Sequence, residues 1–220
     1  MNTTAFAAIA LRAVLLTACG IGVSDAVFRH KGGFMSGGGV LYYTIQSNLW
    51  VFLSTAAYLV LSVVSLFTGA FPHLRALEIA RFAVLVGITI TFLVFWILLA
   101  PGVGTEYLLS RNNLLVHTLV PLLFIADFFL FDRIAPVGKL TALWSVAMPL
   151  YYFIFSLVHA AVNPNVSFSD GSRYPYFFLD LDKLGWFRLR RWPGVFWWVL
   201  ILLALTLGLG YLYRFLQTAL

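Results

Sequence analysis

The chain has 220 residues, of which 62% are hydrophobic and only 10% charged. A soluble domain carries roughly 25% charged residues, so there is too little polar surface to coat a water-soluble globule, and lipid must be the solvent for most of the chain. A single cysteine, Cys19, excludes an internal disulfide and a thiolate metal cluster; the net charge of +6 lies in loops and at helix ends, which suits anionic lipid head groups rather than nucleic acid.

A bilayer-spanning helix needs roughly 20 mostly apolar residues. Six such segments are predicted, at about 4–24, 41–67, 78–100, 113–132, 139–162 and 193–216, and they make the whole of 1–220 a single all-α, polytopic six-helix bundle. The first segment has no basic residue before Arg12 and no clear cleavage site, and reads as a retained helix. Gly32, Gly33, Gly37, Gly38 and Gly39 mark loop 1, and Pro72 marks loop 2. Pro101, Gly102 and Gly104 mark loop 3, and Pro136 and Gly138 mark loop 4. Loop 5, about 163–192, contains Pro164, Gly171, Pro175 and Gly185 and is too short for a soluble core. Trp192, Trp197 and Trp198 open the last helix as an interfacial belt. Lys and Arg number eight on the side of loops 1, 3 and 5 and six on the side of the termini, which does not orient the chain.

Polar residues recur at helical spacing on three spans. They are Thr44, Ser47, Asn48, Thr55, Tyr58, Ser62 and Ser65 on the second, Asn113, His117 and Asp127 on the fourth, and Ser145, Tyr152, Ser156, His159 and Asn163 on the fifth. An unpaired polar group facing lipid is costly, so all three stripes are expected to point inward. The serines and Thr55 read as packing contacts between helices. Asp127 is expected to pair with Arg12 or Arg81 near the terminal side. Thr44, His117 and His159 each lie roughly 5 Å inside the opposite boundary at 1.5 Å per residue, with Asn48, Asn113 and Asn163 in or beside that layer.

Three functions fit such a layer. The first is ester hydrolysis. A threonine hydroxyl needs an adjacent base, and neutral imidazole can take its proton and return it to the leaving alcohol. Thr44 and His117 would form the dyad, Asn48 and Asn113 would orient groups or donate to the oxyanion, and the apolar bundle would hold the acyl chain of a membrane lipid ester. Ser47 is an alternative nucleophile, and His159 a contact for a polar group of the substrate. No metal or cofactor is required. The second is haem ligation by His117 and His159, or lipid binding without hydrolysis. The third is transport of a small solute along the stripe of the second span. It ranks last, because no carboxylate is obvious at the membrane centre and no helix is clearly broken there.

The segments Leu41-Tyr42-Tyr43-Thr44-Ile45-Gln46-Ser47-Asn48, Asn113-Leu114-Leu115-Val116-His117-Thr118-Leu119-Val120-Pro121 and Tyr174-Pro175-Tyr176-Phe177-Phe178-Leu179-Asp180 come in order along the chain. Together they resemble the androgen-induced and androgen-dependent tissue-factor-pathway-inhibitor-regulating membrane proteins and their bacterial relatives. The resemblance implies an intramembrane threonine hydrolase acting on fatty acid esters of hydroxy fatty acids. Its nucleophile would match Thr44, and its essential histidine before a proline would match His117. Gln46, Ser47 and Asn48 look like the bacterial members, which implies a bacterial cytoplasmic membrane and leaves the natural ester open. No catalytic role attaches to the segment Tyr174 to Asp180, which is expected to be a capping or re-entrant loop.

Overall fold

The structure is a computed structural model that describes residues 2–28, 39–132, 138–168, 170–189 and 191–219. Gly32, Gly33, Gly37, Gly38 and Pro136, read above as loop markers, lie outside the described residues, as do Arg29, Lys31, Arg133 and Arg190 of the charge tally. Among the described residues, six helices are long and apolar enough to cross a membrane. They are α1 (Asn2–Phe28), α2 (Tyr43–Thr68), α3 (Arg75–Gly102), α4 (Arg111–Phe131), α5 (Thr141–Val162) and α6 (Val195–Ala219). The protein is a multi-pass, all-helical membrane protein.

Helix α3 is the central post: 61% of its most apolar window is buried, against 22–39% for the other five. It packs on α2, α4, α5 and α6, while α1 closes the bundle against α2 and α4. Small residues allow the closest approaches, as is usual between membrane helices. At Gly210 on α6, an added Cβ would lie 2.6 Å from Ser145 Oγ of α5. At Gly87 on α3, it would lie 2.8 Å from Met148 Sδ and 3.0 Å from the Tyr43 hydroxyl.

Toward the terminal side, four charges form one buried cluster. Arg12 bonds Asp127 at 3.0 Å and Asp132 at 2.6 Å, and Arg81 bonds both of the same carboxylates. Arg12 also donates to Ser62 Oγ and, at 3.2 Å, to the Tyr58 carbonyl. Arg81 lies 4.0 Å from the centroid of the Tyr58 ring and 4.7 Å from that of Phe124. The pairing expected for Asp127 with Arg12 or Arg81 is made with both. Asp132 completes the neutral tetrad, and Tyr58 and Ser62 of the α2 stripe serve it. Two charges of each sign with every fork occupied is the arrangement in which buried ions are tolerated in an apolar medium.

Two helices widen where they meet. Residues Phe95–Leu99 of α3 and Leu115–Leu119 of α4 each form a π-turn, closed by the amides of Ala100 and Val120 donating to the carbonyls of Phe95 and Leu115. Each is followed by a proline, Pro101 or Pro121. A proline has no N–H for the carbonyl four residues back, and its ring clashes with it. The π-turn adds a residue to the turn just before that clash. Such bulges concentrate at functional sites.

Candidate active site

Thr44 is the second residue of α2, entered through a short 3-10 turn at Gly39–Leu41 and an extended Tyr42. His117 is the middle residue of the α4 π-turn. Thr44 Oγ1 lies 3.0 Å from His117 Nε2, a hydrogen bond that the hydroxyl donates when the neutral imidazole carries its proton on Nδ1. Thr44 is 8% and His117 6% exposed, so the pair is shielded from bulk water.

The ring of His117 is fixed by a stack on Phe95, with centroids 3.7 Å apart and planes 20° from parallel. An aromatic pair of this kind contributes about 0.5–1.5 kcal/mol beyond its area burial. Beside it, Trp96 Nε1 donates to Thr118 Oγ1 at 3.1 Å. The two π-turns are thus joined by a stack and a hydrogen bond, and together they hold the imidazole against α2. No carboxylate of α4 stands behind the ring. Asp127 is ten residues along the helix, roughly 15 Å away. The pair is therefore a dyad held by an aromatic wall.

Asn48 and Asn113 lie in the same layer, but their amide nitrogens are committed elsewhere. Asn48 Nδ2 donates to the carbonyls of Thr44 at 2.7 Å and Val116 at 3.0 Å, bridging α2 and α4 beside the dyad. Asn113 Nδ2 donates to the Leu108 carbonyl at 3.0 Å and ties the start of α4 to the short helix Thr105–Leu108. Asn48 has no N–H left for an oxyanion, and Asn113 spends one of its two at the start of α4. Ser47, fully buried, has Oγ 3.0 Å from the Thr44 carbonyl and 2.7 Å from Thr91 Oγ1. It is bonded into the α2–α3 contact rather than to the imidazole.

His159 does not join the site. It is partly exposed, leans on Phe155 with centroids 6.0 Å apart, and lines an outward groove with Tyr151, Val158 and Val162. Helix α3 packs on both α4 and α5. The groove that His159 lines does not include His117, the partner a bis-histidine haem site would need. Asn163, at the end of α5, is exposed. Among the described residues, no group of three His, Cys, Asp or Glu is placed to hold a metal ion.

Thr44 also lines a cavity bounded by α3, α5, α6 and loop 5, as does Phe95, the ring stacked on His117. Its walls include Ile90, Val94, Leu99, Phe153, Val199 and Leu202; hydroxyls enter only from Thr44, Thr91, Tyr43, Tyr152 and Tyr176. The enclosed volume is about 70 Å³, less than the roughly 300–1,000 Å³ of pockets that hold a whole small molecule, so a long acyl chain would lie partly in its open mouth.

Loop 5 forms the roof. The segment Tyr174 to Asp180 caps the bundle, as expected, and is itself closed by polar contacts. Ser172 Oγ donates to Asp180 at 2.7 Å, and Asp180 caps the short helix Leu181–Leu184 through the Lys183 amide at 3.0 Å. Arg173 grips Asp182 with bonds of 2.7 and 3.0 Å and holds that carboxylate below its usual range. From this roof Tyr176 reaches down to the Thr44 amide, with 3.4 Å from nitrogen to hydroxyl. Sequence reasoning gave no role to Phe95, Trp96 or Tyr176. The available signals were Pro101 and Pro121 at matching distances from the two turns, and the aromatic density of loop 5.

Comparisons of the chain with protein-family models, curated proteins and solved structures give no match.

Proposed function

We propose that this protein is an intramembrane hydrolase of lipid esters, with Thr44 as nucleophile and His117 as general base. The observation that carries the proposal is the 3.0 Å contact between Thr44 Oγ1 and His117 Nε2, buried within the helical bundle, with Thr44 also lining an apolar cavity. A hydroxyl paired with imidazole, next to a slot for hydrocarbon, is the minimum set for acyl transfer from a lipid. As Thr44 Oγ1 bonds to the ester carbonyl carbon, its proton passes to His117 Nε2 and the carbonyl π pair moves onto oxygen. Collapse breaks the bond to the alkoxy oxygen, which takes the proton from His117. Water, deprotonated by the same nitrogen, then attacks the acyl carbon; the bond to Thr44 Oγ1 breaks, His117 returns the proton to that oxygen, and the fatty acid leaves. The sequence resemblance to the androgen-induced family supports fatty acid esters of hydroxy fatty acids as the substrate class, and a bacterial cytoplasmic membrane as the location.

The test is hydrolysis of such an ester by the purified protein in lipid nanodiscs. Thr44→Ala and His117→Ala should each lower turnover by about 10³-fold or more, the scale seen when a member of a nucleophile–base pair is removed. Both variants should still unfold in a single cooperative transition, His117→Ala at lower stability because the stack on Phe95 is lost with the ring. Normal turnover in Thr44→Ala would overturn the assignment, and a protein that binds the ester without cleaving it would leave lipid binding as the function.

A further inference from the structure

The hydrolytic reading needs donors for the oxyanion. Asn48 supplies none, because its amide nitrogen already bonds two backbone carbonyls, and Asn113 spends one N–H on the Leu108 carbonyl and does not line the cavity. Other hydroxyls around the cavity are also engaged. Tyr43 donates to the Gly87 carbonyl at 3.2 Å, Tyr152 donates to the Leu41 carbonyl at 2.8 Å, and Thr91 is bonded to Ser47 and Gly87. Tyr176 differs. Its hydroxyl accepts the Thr44 amide at 3.4 Å and meets the amide of Tyr43 and the side chain of Thr44 as well. With the Thr44 proton given to His117, the phenol proton points to Thr44 Oγ1, the one acceptor among these contacts, and it is released when that oxygen bonds to carbon.

The place is electrostatically suited to negative charge. Tyr43 and Thr44 are the first two residues of α2, a helix of 26 residues. Their amides are among the leading N–H groups that have no carbonyl within the helix and that carry the positive end of its dipole. The Tyr176 ring is positioned by its neighbours. It is stacked on Phe178 with centroids 5.2 Å apart and planes 3° from parallel, and it meets Tyr42 and Tyr152 edge-on, each at 5.9 Å.

Resting on the hydrolytic reading, we infer that Tyr176 is a catalytic residue: with the Thr44 amide, its hydroxyl forms the oxyanion site of the reaction. In the unliganded state the phenol oxygen occupies the Thr44 N–H. An ester carbonyl oxygen entering the cavity replaces it there and, as Thr44 Oγ1 bonds to carbon, receives the phenol proton as a hydrogen bond. When Thr44 Oγ1 attacks, the oxygen that gains the electron pair is held by both donors, and the negative charge sits at the start of α2. Tyr176 gives up no proton in the cycle; it strengthens a hydrogen bond as charge develops, which is how oxyanion donors accelerate acyl transfer. Burial pushes the Tyr176 phenol up to about 12, so it remains a donor throughout the neutral range. Loop 5 is then part of the active site, and the aromatic segment has a chemical reason for its position.

The experiment is Tyr176→Phe, which keeps the ring and its stacks and removes only the hydroxyl. Turnover of the hydroxy-fatty-acid ester should fall by about 10²–10³-fold, with KM little changed and the unfolding transition unmoved. A second variant carries a fluorinated tyrosine at 176. It keeps shape and hydroxyl but ionises at lower pH, so the alkaline limit of turnover should move down with it, a shift that a purely structural side chain would not produce. Wild-type turnover that is lost in Thr44→Ala but unchanged in Tyr176→Phe, or an alkaline limit indifferent to fluorination, overturns the role of Tyr176 and leaves the dyad standing. Wild-type protein that cleaves no ester overturns both.

Discussion

Thr44 and His117 are 73 positions apart, yet their meeting was legible because depth in a bilayer is a one-dimensional coordinate. Counting 1.5 Å per residue from each helix end put both at one level. The same count put His159 there, and His159 faces an outward groove instead. Equal depth does not say which helices are neighbours, and α3 packs on both α4 and α5. Asn48 and Asn113 show a second limit. Their type and level suggested donors to a substrate, but backbone carbonyls take both N–H groups of Asn48 and one of the two on Asn113. For Asn48 this has a measurable consequence. Asn48→Ala leaves the Thr44 and Val116 carbonyls without the buried donor they share, which should cost about 1–3 kcal/mol of stability. Turnover should drop without vanishing, since the dyad loses its brace and keeps both reacting groups. Reversible unfolding in mixed micelles, read alongside ester turnover, checks both parts. Undiminished stability would mean that the bridge between α2 and α4 contributes little.

At the scale of elements, the predicted spans and the observed helices agree to within a few residues, because a run of about 20 apolar residues has few alternatives in hydrocarbon. The paired π-turns could not be read that way. Pro101 was taken only as a loop marker, and Pro121 only as part of a motif. Hydropathy is blind to whether a helix turn closes over four residues or five. The turns matter because they set the azimuth of Phe95 and His117. Pro121→Ala restores an N–H for the His117 carbonyl and removes the ring clash, so the turn can relax to regular α-helix. Inserting or removing one residue of a turn rotates what precedes it by roughly 100°. The variant should unfold no more readily than wild type, since proline is the poorest residue for a helix interior, while turnover falls by about 10²-fold as the imidazole leaves Thr44. Full activity with an unchanged unfolding transition would show that packing against α3, rather than the proline, maintains the bulge.

Across the whole molecule, structure and chemistry lie at opposite ends of the bundle. The tetrad of Arg12, Arg81, Asp127 and Asp132 ties α1, α3 and α4 together, with α2 held through Ser62 and the Tyr58 carbonyl. From Thr44 to Ser62 is 18 residues of α2, or roughly 27 Å. The tetrad was half visible in the sequence. Asp127 and the two arginines stood out in apolar surroundings, whereas Asp132, at the very end of its helix, looked like an ordinary boundary residue. The site end is built from two π-turns, the start of α2 and the loop 5 roof, and the cavity between them opens onto hydrocarbon walls. The central claim for that end is that Thr44 is activated by His117. Treatment with a fluorophosphonate and mass analysis of the peptides tests it most directly. The account predicts a covalent adduct on Thr44 in the wild-type protein and none in His117→Ala; an adduct on Ser47, or labelling that survives the loss of His117, would contradict it.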